Sequence, residues 1–393
     1  MVTPTHCPAV AVPAISPCDP AELAPLVEWL ARGVTATEML TFPRGTVLEG
    51  GRVDLCKQSI GPDGARAVLE ALRGNRSVRS ILFGTGAIGD AGATAVAEAL
   101  DDGVALDTVY LGCNAIGEAG ASVLSAAVAR SSATALWLKR NPLGFAGARR
   151  LVELVESGGS LRVLDLYNCE LGDDGVAAIA DALASPRSRI EHVYLGGNAA
   201  GPRAAQALAS MLATTQTLRT LQLSASRFED PVGIALAAGL ARNRSLDELG
   251  LASCHIGPRG GAALADALAR HPRLLRLDLG AATSARALGE PNNQIADDGA
   301  GAFADLVAAN GPLRILDLRW NGITSRGAMP ILEALHANHS LVELGLNRFV
   351  AQTIRRSIRL RLDANAARIG PRPGMPPHVA AIQSVYRAVP PSR

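Results

Sequence analysis

The sequence predicts an α/β solenoid, with a parallel sheet on a concave face and helices on a convex one. Three observations predict it. Short apolar segments of the form xLxL recur at a nearly fixed step. An apolar residue follows five positions later, usually with a glycine after it. A small residue then opens a stretch with apolar positions four and eight further on, which is one face of a helix. The second apolar position of the strands falls at Leu55, Phe83, Leu111, Leu138, Leu166, Leu195, Leu223, Leu251, Leu279, Leu318 and Leu346, in steps of 28, 28, 27, 28, 29, 28, 28, 28, 39 and 28 residues.

Residues 1–45 form an N-terminal flank. Within it DPAELAPLVEWLARG (19–33) has an Asp N-cap and a Pro at the first helical position, and reads as a capping helix anchored by Trp29. The repeats occupy 46–350. One strand–turn–helix unit cannot bury its own apolar face, so neighbours must stack. Helices about 10 Å wide against strands about 4.8 Å apart force the stack to curve with its strands inside, as a horseshoe. Residues 351–393 hold a basic stretch, AQTIRRSIRLRLDANAARIG, expected to be a second capping helix, and a Pro-rich end expected to be loosely tethered.

The segments LRVLDLYNCELGDDGVAAIADAL (161–183) and LDELGLASCHIGPRGGAALADAL (246–268) resemble leucine-rich repeats of the ribonuclease-inhibitor type. The pattern covers residues 50 to about 349, as ten repeats and a final strand. The resemblance implies the horseshoe and, at Asn114, Asn141, Cys169, Asn198, Cys254, Asn293 and Asn321, side chains that bond loop backbone from the interior. Gln58, Gly86 and Ser226 break that series. The family is nearly silent as to function: it includes ribonuclease inhibitors, the GTPase-activating protein of Ran, sensor arrays of NOD-like receptors and bacterial effectors.

Composition narrows the classes. A net charge of +2 gives no electrostatic case for nucleic acid or an anionic membrane. No apolar run approaches the roughly 20 residues of a membrane span. The N-terminus lacks a basic region and carries interrupting prolines, which argues against a secretory signal and for a cytoplasmic protein, or one delivered into a host cell. The six cysteines show no CxxC pair, so neither a metal nor a disulfide framework is expected, and no cofactor. Cys56 and Cys113, just past strand ends, are expected to be partly exposed. Arg exceeds Lys 36 to 2, a bias associated with GC-rich bacterial genomes.

GTGAIG (84–89) matches a dinucleotide loop, but Gly86 holds the Asn position of sister repeats and no acidic residue ends the next strand. The best catalytic constellation is Asp165, His192 and Cys169; Cys169 should point inward, away from the other two, so no enzyme is expected.

The inner face is more informative. TALWLKRNPLG (134–144) places Trp137 on the outward side of a strand with Lys139 and Arg140 at once after it, in a chain with three Trp and two Lys. Positions flanking the buried leucines number 44 on eleven strands. They hold five of the seven Trp and Tyr residues: Tyr110, Trp137, Tyr167, Tyr194 and Trp320. Either the rings brace the sheet, or, with Lys139, Arg140, Asp165 and His192, they form a surface for a protein partner, since Trp, Tyr and Arg dominate interface hot spots. The expectation is the second: a non-enzymatic protein-binding scaffold, an adaptor or bacterial effector. A GTPase regulator resembling the Ran-activating protein is the alternative. The 39-residue step adds eleven residues within 280–295, either a lip over the inner face or a tolerated insertion.

Overall fold

The structure, a computed structural model, describes residues 16–371 and 373–387. They fall into two compact units. The first holds residues 16–171, 187–190 and 375–387; the second holds 172–186, 191–371 and 373–374.

The first unit starts with helix α1 (Pro20–Ala31), whose cap Asp19 accepts the Ala21 N–H at 2.9 Å. Trp29 of α1 is 8 % exposed and meets Phe42 at 6.1 Å between ring centroids. Two short strands, β1 (Leu40–Thr41) and β2 (Thr46–Leu48), pair antiparallel around a turn closed by the Phe42 N–H on the Gly45 carbonyl. Only then do the repeats begin: β3 (Arg52–Asp54), α2 (Gly61–Ala71), β4 (Ser80–Leu82), α3 (Gly89–Asp101), β5 (Thr108–Tyr110), α4 (Glu118–Arg130), β6 (Ala135–Trp137), α5 (Gly144–Glu156) and β7 (Val163–Asp165). Strand β2 pairs antiparallel with β3, and β3 to β7 are parallel in sequence order.

In the second unit come α6 (Gly172–Leu183), β8 (His192–Tyr194), α7 (Pro202–Thr214), β9 (Thr220–Gln222), α8 (Glu229–Leu240), β10 (Glu248–Gly250), α9 (Pro258–Leu268), β11 (Arg276–Asp278), α10 (Ala285–Leu288), α11 (Ala296–Ala308), β12 (Ile315–Asp317), α12 (Ser325–Ala334), β13 (Glu343–Gly345) and α13 (Gln352–Ile369). Strands β8 to β13 are parallel in sequence order. Both units are therefore stacks of strand–turn–helix repeats, with strands in one layer and helices in the other. This is an α/β repeat solenoid.

Three ladders join neighbouring repeats. At the strand exits, Asn141 accepts the N–H groups of Asn114 and Ile116 (2.8 and 3.1 Å) and donates to the carbonyls of Leu111 and Leu138 (2.9 and 2.7 Å). Asn114 and Asn293 do the same one repeat earlier and in the second unit. The thiols of Cys169 and Cys254 donate to the Leu138 and Leu223 carbonyls. On the helix side, an Asp in the first turn of one helix caps the next helix. Asp90 accepts the N–H groups of Gly117 and Gly120, and Asp230 those of Gly257 and Gly260, all at 2.7–3.0 Å. Such a carboxylate satisfies orphan donors and suits the positive end of the helix. It also explains the glycine there, because a Cβ on Gly120 would lie 2.6 Å from the Asp90 carboxylate.

The third ladder follows the helices. Asn75, Asn243 and Asn338 accept N–H groups that lead into the next strand and donate to a carbonyl of the preceding helix, Leu30 of α1 in the case of Asn75. His271, 28 residues after Asn243 and 2 % exposed, imitates them. Its Nδ1 accepts from Arg273 and Leu274 N–H (3.3 and 3.0 Å), and its Nε2 lies 3.3 Å from Asn243 Oδ1. Two donors on Nδ1 require the neutral Nε2–H tautomer. Burial, aided by Arg244 and Arg273, pushes its pKa down to about 4. The folded value lies below the unfolded one of about 6.5, so the unfolded chain binds the proton first. Stability from this site should therefore be complete above about pH 6.5 and fall as pH drops toward 4. His271→Asn should flatten that part of the pH–Tm curve; an unchanged slope would refute the assignment.

The inserted residues form α10, with Ala285 and Leu288 buried. Ser253 Oγ donates to Asn292 and accepts the Ala282 N–H, at 3.0 and 2.9 Å, so the loop is pinned at both ends. Among the described residues, no helix is long and apolar enough to cross a membrane.

Candidate protein-binding surface

The residue before each strand's last buried leucine forms a lateral row on the strand layer. In the first unit the register aligns Asp54, Leu82, Tyr110, Trp137 and Asp165. In the second it aligns Tyr194, Gln222, Gly250, Asp278, Asp317 and Gly345. Three of the five predicted rings, Tyr110, Trp137 and Tyr194, are thus on the strand face, as the alternation requires.

Their exposure departs from expectation. Tyr110, Trp137 and Asp165 are each only 2 % exposed, so none lies open to a partner. The Tyr110 side chain packs closely on the glycines beside it: a Cβ on Gly84 would stand 2.5 Å from its ring, and one on Gly112 2.8 Å from its hydroxyl. Lys139 Nζ sits 5.6 Å from the centre of that ring, a cation–π arrangement. Trp137 is covered by the chain's own C-terminal segment, in which the His378 ring stacks on it at 6.2 Å and 23°.

That segment is not loosely tethered. Residues 375–387, which include the short helix α14 (Pro377–Ala380) and a 3₁₀ turn (Val385–Arg387), pack on the first unit's strand face. Arg52 at the start of β3 donates to the carbonyls of Ala380 and Ala381 (3.2 and 2.8 Å). Asp54 at the end of the same strand accepts the Ser384 hydroxyl and the Val385 N–H, both at 3.0 Å, and also the Cys56 N–H. Ile382 and Ser384 are 4 % and 6 % exposed, and burial raises the Tyr386 phenol pKa. A buried carboxylate is tolerated here because three donors surround it. Cys56, expected to be partly exposed, is buried beside this site.

In the second unit the row is more open: Tyr194, Gln222, Asp278, Asp317 and Gly345 are all half-exposed. Both carboxylate oxygens of Asp317 accept the Arg319 Nε–H (3.0 and 2.9 Å), and Oδ1 also accepts the Arg319 backbone N–H. Burial, with Asp317 beside it, raises the Asp278 pKa against the opposing Gly280 N–H. Burial likewise raises Glu248, against Arg276, and lowers His192, whose Nδ1 lies 2.9 Å from Thr220 Oγ1. Trp320 is 53 % exposed and Phe349, which the sequence did not single out, 66 %. Trp320 and Arg140 have φ of 65° and 59°. This left-handed turn recurs after most strands and carries their side chains off the strand rather than along it. Tyr167 is half-buried, and its N–H donates to Asp165 at 2.8 Å.

Cys169 points inward, as expected. It is fully buried, donates to a carbonyl, and burial holds its pKa far above the ordinary thiol range. The amide of Gly86 in GTGAIG is spent on Asn114 Oδ1 at 2.8 Å rather than free for phosphate. Among the described residues, no group of three His, Cys, Asp or Glu is placed to hold a metal ion.

A family model described as "Leucine Rich repeat" matches residues 160–180, 242–265 and 309–332. The chain is 47 % identical over 57 residues to mouse "Centrosomal protein of 78 kDa", covering 14 % of this chain and 7 % of the relative. It is 35 % identical over 95 residues to human "NACHT, LRR and PYD domains-containing protein 12", covering 24 % and 9 %. The chain thus matches less than a tenth of these relatives' own length. In fold it is similar to a chain of the solved structure "Crystal structure of Rad7 and Elc1 complex in yeast", with a TM-score of 0.51 at 13 % identity over 88 % of this chain and 81 % of that one. The family model thus places leucine-rich repeats at three points within the α/β repeat stacks described above.

Proposed function

We propose that the protein is a protein-binding scaffold whose strand face recognises polypeptide segments. The observation that supports this reading is that the first unit's face already holds one. Arg52 and Asp54 grip main-chain carbonyls, an N–H and a hydroxyl of residues 375–387, while Trp137 supplies an aromatic platform. Such contacts fit a chain segment rather than a polyanion, which would need a continuous basic stripe. In the second unit, half-exposed Tyr194 and His192, and separately Trp320 with Arg319, are side chains suited to anchoring a partner. In the first, Trp137 becomes accessible to a partner only once the segment leaves, with Tyr110, Lys139, Arg140, Asp165 and Tyr167 beside it.

Assignment to the ribonuclease-inhibitor type, a bacterial effector or adaptor role, and a GTPase-regulating role rest on the sequence resemblance alone. The test is a pull-down from the native source. Tyr194→Ala and Trp320→Ala should weaken capture of a partner by about 2 kcal/mol or more with little change in Tm. Arg66→Ala with Arg150→Ala, on the helix side, should leave it intact. Capture lost only in the helix-side variant would overturn the reading.

A further inference from the structure

We propose that residues 375–387 are a displaceable internal ligand that gates the first unit's strand face, an inference that rests on the proposed peptide-binding function. The segment covers the row instead of extending the sheet: no strand forms within it, and β3 keeps its ladders with β2 and β4. It is held at three places. The His378 ring stacks on Trp137, consecutive carbonyls at 380 and 381 meet Arg52, and the Ser384 hydroxyl with the Val385 N–H meets Asp54. Ile382, 4 % exposed, adds an apolar anchor, while Ala380 and Gln383 are exposed and His378, Val379 and Ala381 are half-buried. Its hold is thus that of a bound peptide, strong at anchors and weak between them.

The anchors define the partner that would replace it. That partner is a polypeptide segment presenting a planar ring, two free carbonyls two and three residues on, and a hydroxyl six residues on followed by a free N–H. An acidic residue in place of the hydroxyl would meet the buried Asp54 carboxylate and be rejected. A negative charge added at Ser384 of this chain should therefore open the face. Tethering makes the internal ligand effective even when its own affinity is modest, because its local concentration is high.

The test uses the full-length chain and a fluorescein-labelled synthetic peptide of residues 375–387 as probe. In Ser384→Asp, Trp137 emission should shift to longer wavelength, and Trp137→Phe in the same background should abolish the shift. The peptide should bind Ser384→Asp at least about tenfold more tightly than wild type, and Arg52→Ala in that variant should remove the gain. Val385→Pro, which deletes the N–H anchor instead, should behave likewise, with far-UV circular dichroism confirming that both variants stay folded. Unchanged Trp137 emission in both would mean that the segment is a fixed strut. Shifted emission without peptide binding would mean that the uncovered face is no peptide site. Either result overturns the gate, while the pull-down with Tyr194 and Trp320 variants tests the scaffold independently.

Discussion

Asn141→Ala should destabilise the first unit by at least about 3 kcal/mol, out of proportion to the few atoms removed. The side chain is fully buried and satisfies four backbone groups, the N–H groups of Asn114 and Ile116 and the carbonyls of Leu111 and Leu138. Each buried group left without a partner costs about 1–3 kcal/mol, so even partial rescue by water leaves a large loss. Urea unfolding with hydrogen exchange would check both size and place. The loss should concentrate in β5, β6 and their turns, because each repeat touches only its neighbours. A cost below about 1 kcal/mol would mean that the asparagine ladder does not hold the repeats together.

Phe303→Ala should cost about 3–5 kcal/mol by a different route. Phe303 lies on α11, is 0 % exposed, and is among the largest fully buried side chains. Its loss removes apolar burial and leaves a cavity that the stacked helices α9, α11 and α12 can fill only in part. The expected signature is loosening of amides in those helices. A small loss, shared evenly with α6 and α7, would contradict a core built from nearest neighbours.

The fold was legible because its signal is periodic. Leu111, Leu138 and Leu279 mark strands from spacing alone, and all three are fully buried. Features lacking the period were not legible. The antiparallel pair β1–β2 contains no xLxL step, so TFPRG (41–45) read as flank and TVL (46–48) as the start of the repeats. The role of Asp90 and Asp230 left a faint trace, an acid shortly before the small residue that opens each helix, but its partner glycines lie 27 and 30 residues later. His271 matches the position of Asn243 at the repeat step, yet nothing in one-letter code says that imidazole can replace an amide there.

The site was half legible for the same reason. Alternation placed Tyr110, Trp137 and Asp165 on the strand face, but it cannot show what lies on top of them. The covering segment follows the last repeat, and its contacts with Asp54 span about 330 positions. Its prolines suggested a loose tail. Instead Pro376 and Pro377 lead into α14, which carries the ring that covers Trp137.

The central claim is that the first unit's strand face holds residues 375–387 as a ligand. Amide hydrogen exchange at Val385 tests it most directly, since that N–H is bonded to Asp54. The account predicts slow exchange at Val385 in the wild-type chain. It also predicts exchange at the rate of an unstructured peptide in Asp54→Ala, while the Leu111 N–H, bonded to the Trp137 carbonyl, stays protected in both. Unprotected exchange at Val385 in the wild type, or protection that survives the loss of Asp54, would contradict it.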